Sequence, residues 1–371
     1  PHPPRPPPCR VVRDSVCSLH KRRPGGELPA LRTSGGLDET ESRTPWAAAR
    51  RTHGRHGQGN RVSCTRLTGV RLSTPRVRAR RGAPRGRNDQ VVFDVLTRAD
   101  LIRDGFSSRA ITAAVKSGDL VRARQDRYLA RDAPPPLVDA VRVGGRLGCL
   151  SLLALLGVFV FDGSTLHVHM ERGDSRMRSR LSRRRRLPDR GKRGPMLLHW
   201  RRLTDEPGLG AVGVIDALIS AVRCQEPRHA IATLDSALNL GVIDDVGFAE
   251  VFARLPARFQ LLRGFVDARA QAGTETLVRL MAQRLGCHVV LQVVFEGVGR
   301  VDLVLDGWLV VECDSRAFHG TWEQRLKDYR RDRALAAKGL CVLRLAAEDI
   351  LYRPESVVES LRGLIHSRRQ L

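Results

Sequence analysis

Over residues 1–88 apolar side chains recur with neither helical nor strand spacing, whereas from Val91 onward they fall into short regular runs. The first segment is rich in Arg, Pro, Gly and Ser and has few large apolar groups to offset chain entropy. It is expected to be a disordered basic tail. In VVFDVLTRADLIRDGFSSRAITAAVKSGDLVRARQDRYLA the runs predict two short helices and then two short strands. Thr97 caps the first helix, with Asp100 at the capping-box position, and Gly105 makes the turn. Ser107 or Ser108 caps the second helix, which ends near Lys116 before Gly118. Residues 120–122 and 127–130 then form a ribbon across Arg124-Gln125-Asp126. This order over residues 89–132 is that of a small winged helix-turn-helix.

Pro134-Pro135-Pro136 reads as a linker, followed by a mostly helical middle α+β region over residues 133–265 with one strand-like stretch at 165–170. Residues 266–371 form a third unit. Thr274 is placed to cap a helix over 275–285, and strands follow over 289–295, 300–305 and 308–313. A charged helix spans 321–338, a fourth, apolar strand at 340–345 is expected in the middle of the sheet, and a closing helix starts at Pro354 or Glu355. The fold class is therefore α/β, with a C-terminal mixed sheet flanked by helices on both faces.

Charge divides the chain in the same way. Residues 1–90 carry 20 Lys and Arg against 6 Asp and Glu, and residues 171–202 carry 13 against 3, so these segments hold nearly all of the formal net charge of +25. Localised Arg clusters suit polyanions, with nucleic acid ahead of an anionic membrane surface. No apolar run approaches the length of a membrane span, and the start (PHPPRPPPCR) shows no signal-peptide core, so a cytoplasmic protein without membrane association is expected.

Several residues carry candidate chemistry. A second helix in the major groove would aim Arg109, Thr112 and Lys116 at DNA, with Arg122, Arg124 and Arg127 of the ribbon near phosphates. Arg183–Arg186 reads as a basic loop able to contact phosphate. His167 and His169 share one strand face, as a metal site needs, but no third ligand stands nearby, so surface histidines are expected. The eight cysteines lack a C-x-x-C pair and read as packed thiols.

The sharpest signal is RVDLVLDGWLVVECDSRAFHG at residues 300–320, where Asp302, Glu312, Asp314 and His319 interrupt two otherwise buried strands. Buried carboxylates cost several kcal/mol unless paired or metal-bound, so Asp302, Glu312 and Asp314 around one hairpin point to chemistry. Asp302 and Glu312 fit Mg²⁺ or Mn²⁺, with the Cys313 carbonyl as a third oxygen. The geometry carries a condition. A two-residue Asp306-Gly307 turn would set Asp302 opposite Val311, whereas a three-residue connection or a bulge pairs it with Glu312 on one face. An odd-numbered connection is the expected one.

Asp302, Glu312-x-Asp314, Phe318-His319 and the following YRRDRALAAKGLCVLRL resemble the endonuclease-like domain of unknown function related to very-short-patch-repair nucleases, within the PD-(D/E)xK superfamily. The resemblance covers about residues 271–363. It implies a restriction-endonuclease-like sheet, metal-dependent phosphodiester hydrolysis, Asp302 and Glu312 as metal ligands, Glu275 as the acid from the preceding helix and His319 as general base. Asp314 stands where the superfamily has Lys. Lys327 or Arg330 of the next helix would then stabilise charge, and Arg330 and Arg333 could face DNA. Residues 97–130 are similar to the amino-terminal winged helix of AbiEi-type antitoxins. The two resemblances imply a DNA-directed protein, either an endonuclease or a non-catalytic regulator with a degenerate nuclease fold and a possible toxin partner.

Overall fold

The computed structural model describes residues 94–314 and 322–370. The tail expected over residues 1–88, and His319, lie outside the described residues. The described part opens on helices α1 (Arg98–Arg103) and α2 (Ser108–Ser117), followed by the antiparallel strands β1 (Leu120–Arg124) and β2 (Arg127–Ala130). The Thr97 hydroxyl accepts from the Asp100 amide at 3.1 Å and the Asp100 carboxylate accepts from the Thr97 amide at 2.8 Å, the reciprocal pair that its sequence predicts. Ser107 caps α2, and Gly118 ends it with φ 84°. Leu101, Ile111, Leu120 and Tyr128 form the small core of this module. β1 runs two residues further than expected, so the turn is only Gln125-Asp126.

Ala123 and Leu129 of the ribbon point into a second, larger core shared with the middle region. That region contains α3 (Pro135–Val143), β3 (Arg146–Leu147), α4 (Cys149–Leu155), β4 (Leu166–His169), the hairpin β5 (Arg178–Ser179) and β6 (Ser182–Arg186), β7 (Met196–His199), α5 (Val214–Cys224), α6 (Pro227–Asn239) and α7 (Asp245–Arg254). Three strands pair in the order β3-β4-β7, with β4 and β7 parallel. The Arg run expected in a loop is instead strand β6, with Arg183 to Arg186 exposed. Four like residues in a row show no alternation, so pairing with β5 supplies what local pattern does not.

The last unit comprises α8 (Gly273–Arg284), β8 (Val289–Phe295), β9 (Gly299–Leu305), β10 (Leu309–Asp314), α9 (Trp322–Ala337), β11 (Cys341–Ala346), α10 (Ala347–Tyr352) and α11 (Pro354–Arg369). Its sheet runs β11-β10-β9-β8. The first three strands in sequence form an antiparallel meander, and β11 returns parallel to β10 after the α9 crossover. The fourth strand is therefore an edge strand, not a central one. Cys341 and Ala346 on it are exposed, while Leu309 to Glu312 on β10 are buried. Leu303, Leu305, Leu309 and Val311 join the core that includes Leu277 of α8 and Leu361 of α11, and Val304 and Val310 pack with Leu335 of α9, so helices cover both faces. Among the described residues no helix is long and apolar enough to cross a membrane.

The middle and final units are pinned together by a buried ion pair. Arg279 of α8 meets Asp235 of α6 at 2.8 Å, and both side chains are almost wholly shielded from solvent. Asp235 also accepts from the Thr276 hydroxyl and the Asp267 amide, each at 2.7 Å, and Arg279 donates to the Phe265 carbonyl at 2.7 Å.

Candidate functional sites

Leu305 lies opposite Leu309, Val304 opposite Val310 and Leu303 opposite Val311, so Asp306-Gly307-Trp308 is a three-residue connection. Asp306 and Gly307 take φ 48° and 74°, the left-handed values that tight reversals need. The pairing ends at Leu303 and Val311; one further step in that register would set Asp302 opposite Glu312, and the Asp302 charge does act on Glu312. A local irregularity sharpens the geometry. Gln292 of β8, across from Asp302, has φ 56°, and the packing face switches between Val301, on the α9 side, and Leu303, on the α8 side. Asp302 sits at that switch, where its charge is felt by acids on both sides. Its carboxylate accepts from the Cys313 amide at 2.9 Å.

Glu275 lies on the α8 side. It is buried at the third position of the helix and accepts from the Gln271 and Ala272 amides at 3.0 and 3.1 Å, so Ala272, not Thr274, is the cap position and the helix begins at Gly273. The Gln292 amide donates to the same carboxylate at 2.8 Å, which links Glu275 to the strand position facing Asp302. Burial pushes the Glu275 pKa up, and the Asp302 charge adds to that push.

Glu312 is buried too, and burial followed by repulsion from Asp302 pushes its pKa up to about 7. Arg331 of α9 brings Nη2 to 2.9 Å from Oε1 but not aligned as a hydrogen bond, so that buried oxygen accepts none, and Arg344, paired with Glu312 across β10 and β11, adds a second cation. Arg331 thus turns inward from α9. It also donates to the Arg300 carbonyl. Asp314 faces Arg344 of β11 at 3.7 Å, and Arg344 is held more closely by Asp332 at 2.8 Å. Burial, then Asp302 and Glu275, push the Cys313 thiol well above its usual range. Arg330 and Arg333 are exposed on α9, as is Lys327.

The raised Glu312 pKa makes a signed prediction. A folded pKa above the usual Glu value means that this group's contribution to stability is complete below the ordinary Glu range and is lost as pH rises through about 7. A bound cation favours the ionised form, so affinity for a divalent ion should climb over that interval. Infrared titration of the metal-free protein should show a carboxylic-acid band with a midpoint near pH 7 that is missing in Glu312→Gln. A wild-type spectrum in which no carboxyl titrates above about pH 6 would contradict the assignment.

No protein-family model, curated protein sequence or solved structure matches this chain. Its sites therefore rest on their own geometry.

In the helical module Arg109, Thr112 and Lys116 are exposed on α2, with the Thr112 hydroxyl donating to the Ser108 carbonyl. The ribbon cations are differently disposed from expectation. Arg124 donates to the carbonyls of Val143 and Arg176 at 3.0 and 2.8 Å, which ties the ribbon to the middle region and occupies its guanidinium. Arg122 lies over the Tyr128 ring, and Arg127 donates to the Asp126 carbonyl at 2.7 Å.

A second cluster lies in the middle region. Cys149 at the start of α4, His167 on β4, His199 at the end of β7 and Cys224 at the end of α5 bring one ligand atom each to within 4.8 Å of one another, so the group could hold a metal ion. Among the described residues it is the one set of three or more His, Cys, Asp or Glu side chains that closes this tightly. The carboxylates around the β9–β10 hairpin form a looser array. His167 Nδ1 and His199 Nε2 are 3.0 Å apart, and Cys224 Sγ is 3.8 Å from His167 Nδ1. The Cys149 contact and then the two imidazoles draw the Cys224 thiol far below its usual range, while burial holds that of Cys149 up. The histidines expected at the surface are buried, and the cysteines expected to be packed thiols divide, with Cys149 and Cys224 in this cluster and Cys287 in an apolar core. His169 does not join. Its Nδ1 is buried without a partner, and burial draws its pKa down.

Proposed function

We propose that this chain is a cytoplasmic, DNA-directed protein whose C-terminal unit is a metal-dependent endonuclease of the restriction-endonuclease-like class. The observation that carries the reading is the clustering of three acids, with the Asp302 charge acting on Glu312 and on Glu275, next to a β9–β10 register that, one step past Leu303 and Val311, would oppose Asp302 to Glu312. Oxygen donors of this kind suit Mg²⁺ or Mn²⁺. The fit is supported by Glu312, whose buried Oε1 accepts no hydrogen bond and whose ionised form is disfavoured by burial and by the Asp302 charge even with Arg331 beside it.

Asp302, Glu312 and the Cys313 carbonyl would hold the ion, which would supply a bound water of lowered pKa as the nucleophile. The chain's own residues account for the rest. Glu275 keeps Gln292 and the helix start in place behind Asp302. Asp314 cannot donate to a phosphoryl oxygen as a Lys would, and its acidity is directed at Arg344. Arg331, already 2.9 Å from Glu312, is the cation positioned to neutralise charge developing on a phosphate beside the carboxylates, a role expected of Lys327 or Arg330. Exposed Arg330 and Arg333 would meet the DNA backbone.

Residues 97–130 serve in this reading as a winged-helix DNA reader, with α2 as the groove-entering helix. Replacing Arg109 and Lys116 together by Ala should weaken binding of duplex DNA about tenfold and lower the salt slope by about one per phosphate contact removed. Fluorescence anisotropy across a salt series measures both, and an unchanged slope would remove α2 from the interface.

The Arg331 ion pair favours a second reading, in which the carboxylate is permanently neutralised and the fold is a scaffold for a DNA-binding repressor, with a toxin as possible partner. Plasmid incubation separates the two. Nicking or linearisation that needs Mg²⁺ or Mn²⁺ supports the endonuclease. Sequence-specific binding with no cleavage at any metal concentration supports the repressor.

A further inference from the structure

We infer that Cys149, His167, His199 and Cys224 bind one structural zinc ion that locks the middle region together. Four nitrogen and sulfur donors converge from four separate elements, and the set is of the two-Cys, two-His type that zinc takes tetrahedrally. With Zn–N near 2.0–2.1 Å and Zn–S near 2.3 Å, a tetrahedron sets ligand nitrogens about 3.3 Å apart and a nitrogen about 3.6 Å from a sulfur. The observed 3.0 Å between His167 Nδ1 and His199 Nε2, and 3.8 Å between His167 Nδ1 and Cys224 Sγ, lie within a few tenths of those values.

The surroundings fit a resident ion better than a thiol pair. Cys149 and His167 are 1% and 2% exposed and His199 and Cys224 are half-buried, so the ion would sit at the margin of the core, shielded on two sides. All four positions are filled by protein, leaving no open place for a water, which is the mark of a structural and not a catalytic site. Cys149 holds φ 50°, a backbone conformation that is strained for a residue with a Cβ and that persists only where its surroundings demand it. The Ser151 hydroxyl accepts from the His167 amide at 2.9 Å and donates to the Thr165 carbonyl, fixing the strand that carries the imidazole.

The topology says what the ion would do. β7 returns to pair with β4 only after the Arg-rich excursion through β5 and β6, and its four residues have β4 as their one strand partner. A metal joining His199 to His167, Cys149 and Cys224 closes that excursion and fixes β7 against α4 and α5, an entropy saving that grows with the loop it closes. It also provides a firm base for the exposed cations of β6. Binding releases the thiol protons and adds directly to the stability of the fold.

Elemental analysis of the full chain, purified without chelator and again after zinc reconstitution, should give one zinc per chain. Cys224→Ser and His199→Ala should each fall to about a tenth of that or less, while Cys341→Ser and Asp302→Asn, which lie outside the cluster, should retain it. Replacing zinc by Co²⁺ in the wild type reports on ligands without a variant that could misfold. The result expected is tetrahedral ligand-field bands with thiolate-to-cobalt charge transfer, together with a Tm drop of about 10 °C or more when the metal is stripped. Wild-type protein that takes up no stoichiometric zinc on reconstitution would overturn the inference. So would zinc retained in Cys224→Ser, an octahedral cobalt spectrum, or a Cys149–Cys224 disulfide in protein handled anaerobically.

Discussion

Asp302→Asn and Glu312→Gln should each reduce metal-dependent plasmid cleavage by about 10³-fold or more, while leaving DNA affinity within about twofold of wild type. The two substitutions keep shape and remove charge. In Asp302→Asn the side-chain carbonyl could still accept from the Cys313 amide, so the meander should stay folded. Glu312→Gln would remove a charge that burial, and then the Asp302 carboxylate, both disfavour. Both losses therefore bear on the metal and not on the fold. Glu275→Gln should cost less, on the order of tenfold to a hundredfold, because its oxygens are already engaged by two amides and Gln292 and it acts on Asp302 from behind. Thermal melts of the variants beside initial rates in Mn²⁺ separate the two effects. Cleavage unchanged in both Asp302→Asn and Glu312→Gln would place the chemistry elsewhere or rule it out.

Asp235→Ala should destabilise the chain by about 3–5 kcal/mol, the largest loss expected from a single side chain away from a metal. The substitution leaves the Arg279 guanidinium, 3% exposed, without its counter-charge, and strips partners from the Asp267 amide and the Thr276 hydroxyl. Replacing the pair with apolar residues of similar volume, Asp235→Leu with Arg279→Met, should recover most of the loss, because the penalty lies in the orphaned charge more than in the missing attraction. Urea titrations give both numbers. A loss under about 1 kcal/mol for Asp235→Ala would mean that water reaches the site and that α6 and α8 are less firmly joined than their contacts indicate.

The parts of this molecule legible in its sequence are those set by neighbours along the chain. The Thr97–Asp100 cap, the Gly118 stop and the meander with its crossover helix follow from residues within a turn or a strand of each other. The odd-numbered connection at Asp306 was expected from the condition that Asp302 and Glu312 share a face, and the three-residue connection observed meets it. What escaped is what distant chain segments decide. α9 carries charge all round, so no periodicity distinguishes Arg331, which turns to Glu312, from Arg330 and Arg333, which stay in solvent. Arg124 reads as a wing cation until Val143 and Arg176 are brought beside it. The edge position of β11 depends on which side of β10 the crossover lands. The Cys/His cluster escaped because no two of its ligands are closer than 18 residues, so it lacks the short ligand pairs that betray most zinc sites. Its local traces were a Cys at one end of each of two helices and a His on each of two short strands.

The endonuclease reading requires a divalent ion at the β9–β10 hairpin. Anomalous diffraction from crystals soaked in Mn²⁺ tests it most directly. The expected result is a peak within about 2–2.5 Å of carboxylate oxygens of both Asp302 and Glu312, with Arg331 drawn away from Glu312. A map with no peak at the hairpin under saturating Mn²⁺, and with the Arg331–Glu312 pair intact, would contradict it.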